Sequence, residues 1–180
     1  QAEQRREIAT DFYFGGMTIE GSGSVHPAML QMGLLQRCQD NGVTLCAHTP
    51  MQGISREGEG FLVATSAGII KAGEVVVGTN GYTGKKTPWL RRRLIQAASY
   101  IIATEERDED EIRALIPNNR TMADSKRVLN YYRLSPDKRR MLFGGRVALK
   151  ETDDTVSAPA LHKAMCKIFP QLATTRISHS

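Results

Sequence analysis

The run Glu74-Val-Val-Val-Gly78, which breaks at once into Thr79-Asn-Gly-Tyr-Thr-Gly84, most constrains how this chain folds. Three consecutive valines leave no polar face, so as a strand the run must be covered on both sides. Helix-flanked sheets of α/β architecture meet that condition. Small residues just past its end let the main chain come close to a ligand, and open α/β sheets bind ligands at the carboxyl ends of their strands. An ordinary strand-to-loop turn has the same local chemistry, so the segment nominates a site without naming its occupant.

The segments around it read clearly. Gln1 to Thr10 reads as the tail of a helix, and Asp11 to Phe14, before Gly15-Gly16, as a short strand. His26-Pro27 opens a helix, with Pro where its missing N–H costs little. Met29, Leu30, Gly33, Leu34 and Cys38 form one apolar stripe expected to face the core, and Asn41-Gly42 supplies the left-handed stop. A strand over Val43–Ala47 follows. Gln52–Arg56, Phe61–Thr65 and Ile69–Lys71, separated by turns at Glu57–Gly60 and Ser66–Gly68, predict a meander. After Pro88 come one helical turn over Trp89–Arg93, a strand over Ile95–Glu105, and a helix over Asp108–Ile116 with an acidic first turn. A hairpin joins Leu129–Leu134 and Met141–Gly144 through Ser135-Pro-Asp-Lys138. A final helix over Ser157–Phe169 turns Ala160, Leu161, Ala164, Met165 and Ile168 to one face. The change of texture places a boundary near Lys86.

The chain has 180 residues, enough for one domain or two small lobes, and is 41% apolar and 24% charged. That balance is globular and excludes a disordered or collagen-like chain. No stretch approaches the roughly 18 apolar residues of a membrane span. Both ends read as cut: no initiator Met and no signal architecture at the start, and the beginning of a strand at Arg176–Ser180. The net charge is +5. Its main basic run, Lys85-Lys86 and Arg91-Arg92-Arg93, is answered by acids over Glu105–Glu111, so no nucleic-acid partner is expected. Three widely spaced cysteines, Cys38, Cys46 and Cys166, argue against disulfides and zinc and for a reducing, cytoplasmic compartment. Cys46 reads as an inert buried residue.

Catalytic signatures are sparse. Gly21 and Gly23 make a G-x-G that Pro27 closes wrongly for a dinucleotide loop. The four histidines, His26, His48, His162 and His179, share no ligand spacing, so no metal site is expected. No G-x-S-x-G elbow is present.

The ordered series Phe14-Gly15-Gly16, Val25-His26-Pro27 with Gly33-Leu34-Leu35, Asn41-Gly42-Val43, Ala64–Gly68 and Ala72–Tyr82 resembles the flavin-dependent glycine/D-amino-acid oxidase family. Ser99–Glu105, Tyr131-Tyr132-Arg133 with Ser135-Pro136-Asp137, and Leu142–Arg146 are similar to its γ-glutamylputrescine-oxidase-like branch. The match runs from about Asp11 to the end.

The resemblance implies a mixed α/β fold: part of an FAD-binding domain with a β-meander, interleaved with an antiparallel-sheet substrate domain. Residues 1–86 would be the partial FAD domain, 87–156 the substrate domain, and 157–180 a helix and strand returning toward the first. The parent would use FAD to oxidise the C–N bond of a small amine or amino acid. Met51 would meet the adenine through its main chain, where the family usually has Val. Thr79, Asn80, Gly81 and Tyr82 would lie along the cofactor. Tyr132, Arg133 and Arg146 would face the substrate, since an Arg fork suits a carboxylate and Tyr orients an amine. No catalytic base is nominated. The family's G-x-G-x-x-G loop, which sets the pyrophosphate on a helix N-terminus, is absent here, so this stretch alone is expected to hold little FAD and to be inactive. Two rivals stay open: a non-catalytic α/β module whose basic loop meets an acidic partner, and a flavoprotein dehydrogenase that reduces a carrier instead of oxygen.

Overall fold

The computed structural model describes residues 2–146 and 153–180, so positions 147–152 of the substrate domain expected over 87–156 lie outside the described residues. Two compact units emerge: residues 27–96, and residues 1–26 together with 97–180. The first 26 residues thus group with residues 97–180.

In residues 27–96 the first element is α1 (Pro27–Asp40). Its stop is the one expected. Gly42 is left-handed at φ 76°, its N–H donates to the Gln39 carbonyl at 2.9 Å, and the Val43 N–H reaches back to the Cys38 carbonyl at 3.0 Å. That double reach-back is the Schellman pattern. The apolar stripe is not core, however: α1 has no buried residue, and Met29 is 71% exposed.

Val43–Ala47 is likewise not a strand, and Val43, Leu45 and Cys46 are exposed. A strand exists only with a hydrogen-bonded neighbour, and none pairs here. The same correction applies to Glu74–Gly78. It joins no ladder, Val75 and Val77 are half-buried, and Val76 is 93% exposed. The meander forms as expected, because tight turns supply the partners locally. β1 (Met51–Glu57), β2 (Gly60–Thr65) and β3 (Gly68–Ala72) pair antiparallel in that order. Gly60 is required: a Cβ there would sit 2.7 Å from the Ala72 carbonyl oxygen. α2 (Pro88–Arg91) is the expected single turn.

The other unit is one antiparallel sheet under two helices. In sequence come β4 (Tyr100–Thr104), α3 (Glu109–Leu115), β5 (Met122–Ala123), β6 (Asn130–Leu134), β7 (Met141–Gly145), α4 (Asp154–Ile168) and β8 (Ile177–His179). The sheet order is β5-β6-β7-β4-β8. β4 is shorter than the expected 95–105 because pairing to β7 begins only at Tyr100. One face of the sheet carries Ile102, Tyr132, Leu134, Met141 and Phe143 into a core closed by Ile112, Leu115 and Ile116 and by Leu161, Met165 and Ile168. On α4 Ser157 is buried together with Leu161, Met165 and Ile168, while Ala160, expected on that face, is exposed.

The N-terminal segment joins this core. Gln4–Arg6 is a single 3-10 turn rather than a helix tail, and Ile8 is buried. Thr10 donates its hydroxyl to the Ile168 carbonyl. Asp11–Phe14 forms no strand; instead Tyr13 packs against the core.

Candidate functional site

β6 fixes what its side chains can do. Asn130, Tyr132 and Leu134 are buried on one face; Tyr131 and Arg133 are half-buried on the other. Successive strand residues point to opposite sides, so Tyr132 and Arg133 do not share a wall. The Tyr132 ring stacks on Phe143, with centroids 5.4 Å apart and planes 5° apart, and meets Phe169 edge-on at 5.3 Å. Its hydroxyl donates to that of Tyr13 at 3.0 Å. Burial pushes the pKa of both phenols up. Tyr132 is thus a core residue, fully engaged by its own fold rather than exposed to a pocket.

Arg133 is placed differently. Its Nη1 donates to the Val25 carbonyl at 3.0 Å, which uses one of the guanidinium's five N–H donors. It lines an open cleft of about 160 Å³ together with Ser24, His26, Asn119 and Ser135. Whole-substrate pockets run from about 300 Å³ upward, so this cleft suits a single polar group such as a carboxylate. Arg146 follows β7 directly and is exposed. Since Arg133 pairs with Leu142, Arg146 lies four residues further along β7, about 13 Å of strand. The two arginines stand at different ends of the hairpin.

Tyr131 lies on the same side of β6 as Arg133. Its ring lies flat on Gly144, where any Cβ would collide with it, and its hydroxyl donates to Ser99 Oγ at 3.0 Å. It spans the open face of the sheet on Arg133's side. Strand alternation accounts for this: Leu134 points inward, so Tyr132 does too, leaving Tyr131 with Arg133.

In residues 27–96, Asn80–Tyr82 is one 3-10 turn. Asn80 is left-handed at φ 44°. Thr83, buried at its base, donates its hydroxyl to the Asn80 carbonyl at 2.7 Å and lies 2.7 Å from the Thr79 hydroxyl. A Cβ built on Gly78 or Gly81 would meet nothing within 4 Å, and Tyr82 is 94% exposed. Within this unit the main chain past Val77 is therefore open, as close approach of a flat ring requires. Met51 starts β1 half-buried. The register jumps from Met51↔Thr65 to Gly53↔Ala64, so Gln52 is an extra residue whose main chain is released from the ladder.

Among the described residues no group of three His, Cys, Asp or Glu is placed to hold a metal, and no helix is long and apolar enough to cross a membrane. His162 and Cys166 face each other on α4, Nε2 to Sγ 3.5 Å. The imidazole nitrogen also lies 3.2 Å from the Thr175 carbonyl, and burial raises the thiol's pKa, which opposes a thiolate nucleophile.

Sequence comparison supplies what the geometry leaves open. Along residues 1–180 the chain matches the DAO family profile, described as FAD dependent oxidoreductase. It is 35% identical over 180 residues to gamma-glutamylputrescine oxidoreductase of Escherichia coli K12, covering 97% of this chain and 41% of that protein. Probable oxidoreductase OrdL of Rhizobium meliloti is 29% identical over 174 residues (96% of this chain, 40% of the relative). OrdL of Haemophilus influenzae is 28% identical over 179 residues (97% and 40%). The chain thus spans about two fifths of the length of these relatives. A mixed α/β chain with a meander and an antiparallel sheet, matched from its first residue to its last, belongs to the DAO family of FAD-dependent oxidoreductases.

Proposed function

We propose that the parent protein oxidises the C–N bond of a small amine or amino acid bearing a carboxylate. The observation that carries this reading is the open main chain at Gly78–Gly81 in a chain matched throughout to an FAD-dependent family. The chemistry FAD would supply there is acceptance of a hydride from the carbon that carries the nitrogen, leaving an iminium that loses its N–H proton to water as the imine. Thr79, Asn80, Gly81 and Tyr82 would hold the cofactor through the exposed turn, and Met51 through the main chain at its bulge. Residues 27–96 would then be FAD-domain and the five-stranded sheet substrate-domain.

Arg133 would take the carboxylate, with Tyr131 beside it on the open sheet face and Arg146 at the far end of the hairpin. A γ-glutamylated diamine, the compound named in one relative, carries both groups such a site needs. The test is steady-state kinetics on the full-length parent with Arg133→Ala. KM should rise at least about tenfold, the value of one charged contact, for carboxylate-bearing amines and hardly at all for amines without one. Equal effects on both classes would remove Arg133 from the site. Peroxide formed in step with substrate oxidation would identify an oxidase; dye reduction without peroxide would identify the carrier-linked dehydrogenase.

A further inference from the structure

We propose that the segment Lys85–Arg93 is a docking surface for anionic lipid. Of the chain's 24 Lys and Arg, five lie in these nine residues, and the nineteen that remain equal the nineteen Asp and Glu. The net charge of the protein is therefore concentrated in one loop. No acid occurs from Val75 to Thr104. Among the described residues Lys85, Lys86, Arg91, Arg92 and Arg93 enter no ion pair, and all five are exposed. Cations without acidic partners are costly to bury, which favours either water or an anionic partner around them.

Apolar groups are set among them. Trp89 is 59% exposed and carries the Arg93 guanidinium 3.8 Å from its ring centroid. Arg93 Nη1 donates to the Trp89 carbonyl at 2.9 Å. Leu94 is 38% exposed. The loop is tied at its base, where the Gln96 side-chain amide donates to the Gly81 carbonyl. A basic cluster carrying an indole is what a headgroup layer holds: cations meet anionic lipid while the ring settles at the polar–apolar boundary. Nucleic acid fits less well. α2 is four residues long, too short to read a groove, and its one aromatic already carries a guanidinium instead of offering a row of stacking faces.

Trp89 is the chain's single tryptophan, so its emission reports the event directly. The chain mixed with phosphatidylcholine–phosphatidylglycerol vesicles should show a blue shift and sediment with them, and both effects should fade with salt. Phosphatidylcholine alone should give neither. Arg91→Gln with Arg92→Gln should weaken binding roughly thirtyfold, at about one charge's worth of attraction per Arg. Lys163→Gln with Lys167→Gln removes the same charge from α4 and should leave binding unchanged. Equal binding to neutral vesicles, no binding, or equal loss in both double variants would overturn the proposal. So would a single-stranded oligonucleotide that alters Trp89 emission where anionic vesicles do not.

Discussion

The hydroxyl of Tyr132 donates to that of Tyr13 at 3.0 Å, tying the N-terminal segment to the middle of the sheet across 119 positions of sequence. Tyr132 is 3% exposed, so its donor has nowhere else to go. Tyr13→Phe should cost about 1–3 kcal/mol, because it leaves that buried donor unsatisfied. Phe at both positions should recover most of the loss, since two apolar groups of the same shape leave nothing unpaired. Denaturant melts of the two singles and the double measure the coupling; additive losses would mean that the hydroxyls do not interact. Burial raises both phenol pKa values above the ordinary 10.0. The sign follows: the unfolded chain ionises first, so this stability is fully present below pH 10 and is lost as pH rises above it. The double variant should resist alkali better than the parent.

Gly144 and Tyr131 are coupled sterically. A Cβ at Gly144 would enter the space of the Tyr131 ring, so Gly144→Ala should push the ring away, break its 3.0 Å bond to Ser99 and cost about 1–3 kcal/mol as an overpacked site. In a Tyr131→Ala background the same change should be close to neutral or stabilising, as Ala suits a strand better than Gly. Thermal melts of the four proteins decide this. If Gly144→Ala costs as much without Tyr131 as with it, the glycine is needed for another reason.

Elements whose causes are local were legible in the sequence. The helix from Pro27 ends where Gly42 permits a left-handed residue, the meander follows its two short turns, and α3 begins at Asp108 with three acids after it. Val43–Ala47 and Glu74–Gly78 were misread because a β-rich composition is not a strand until a neighbour pairs with it. Their partners are not found within residues 27–96. Of the candidate site, the placement of side chains along β6 follows from the strand itself, whereas their chemical roles rest on the resemblance alone. The two-residue strand period was legible in β6, where Tyr132 and Leu134 turn inward and Arg133 turns to the other face.

The cap of α3 gives a clean measure of a local cause. Asp108 accepts from the Asp110 N–H at 2.9 Å and the Glu111 N–H at 3.4 Å, satisfying two of the helix's free donors. Behind it Ile112 and Leu115 enter the core. Asp108→Ala should destabilise by about 1 kcal/mol, and Asp108→Ser by much less, because a hydroxyl caps almost as well. Equal losses in denaturant melts would show that charge near the helix terminus, not the hydrogen bond, carries the effect.

Glu105 and Arg176 hold the outer strand. The Glu105 N–H donates to the Arg176 carbonyl at 2.8 Å, the Arg176 N–H returns to Glu105 Oε1 at 3.1 Å, and the guanidinium reaches Oε2 at 2.8 Å. The Arg176 backbone N–H, then its side chain, hold the Glu105 carboxyl below the ordinary 4.5. A lowered carboxyl stabilises the fold above that ordinary value, and the contribution is lost as pH falls through the lower native one. β8 should therefore loosen first on acidification. Amide exchange at Arg176 and Ile177, corrected for intrinsic rates, should accelerate as pH falls below the ordinary 4.5, ahead of β6 and β7. Glu105→Gln keeps an acceptor for the Arg176 N–H but no charge to titrate, so its β8 exchange should already be faster at neutral pH and should stay flat through that range. Glu106, paired to Arg140 at 2.8 Å, is the neighbouring carboxylate that would have to answer if the acid response survived in Glu105→Gln. That result would move the pH-sensitive tie from β8 to the turn that Arg140 ends.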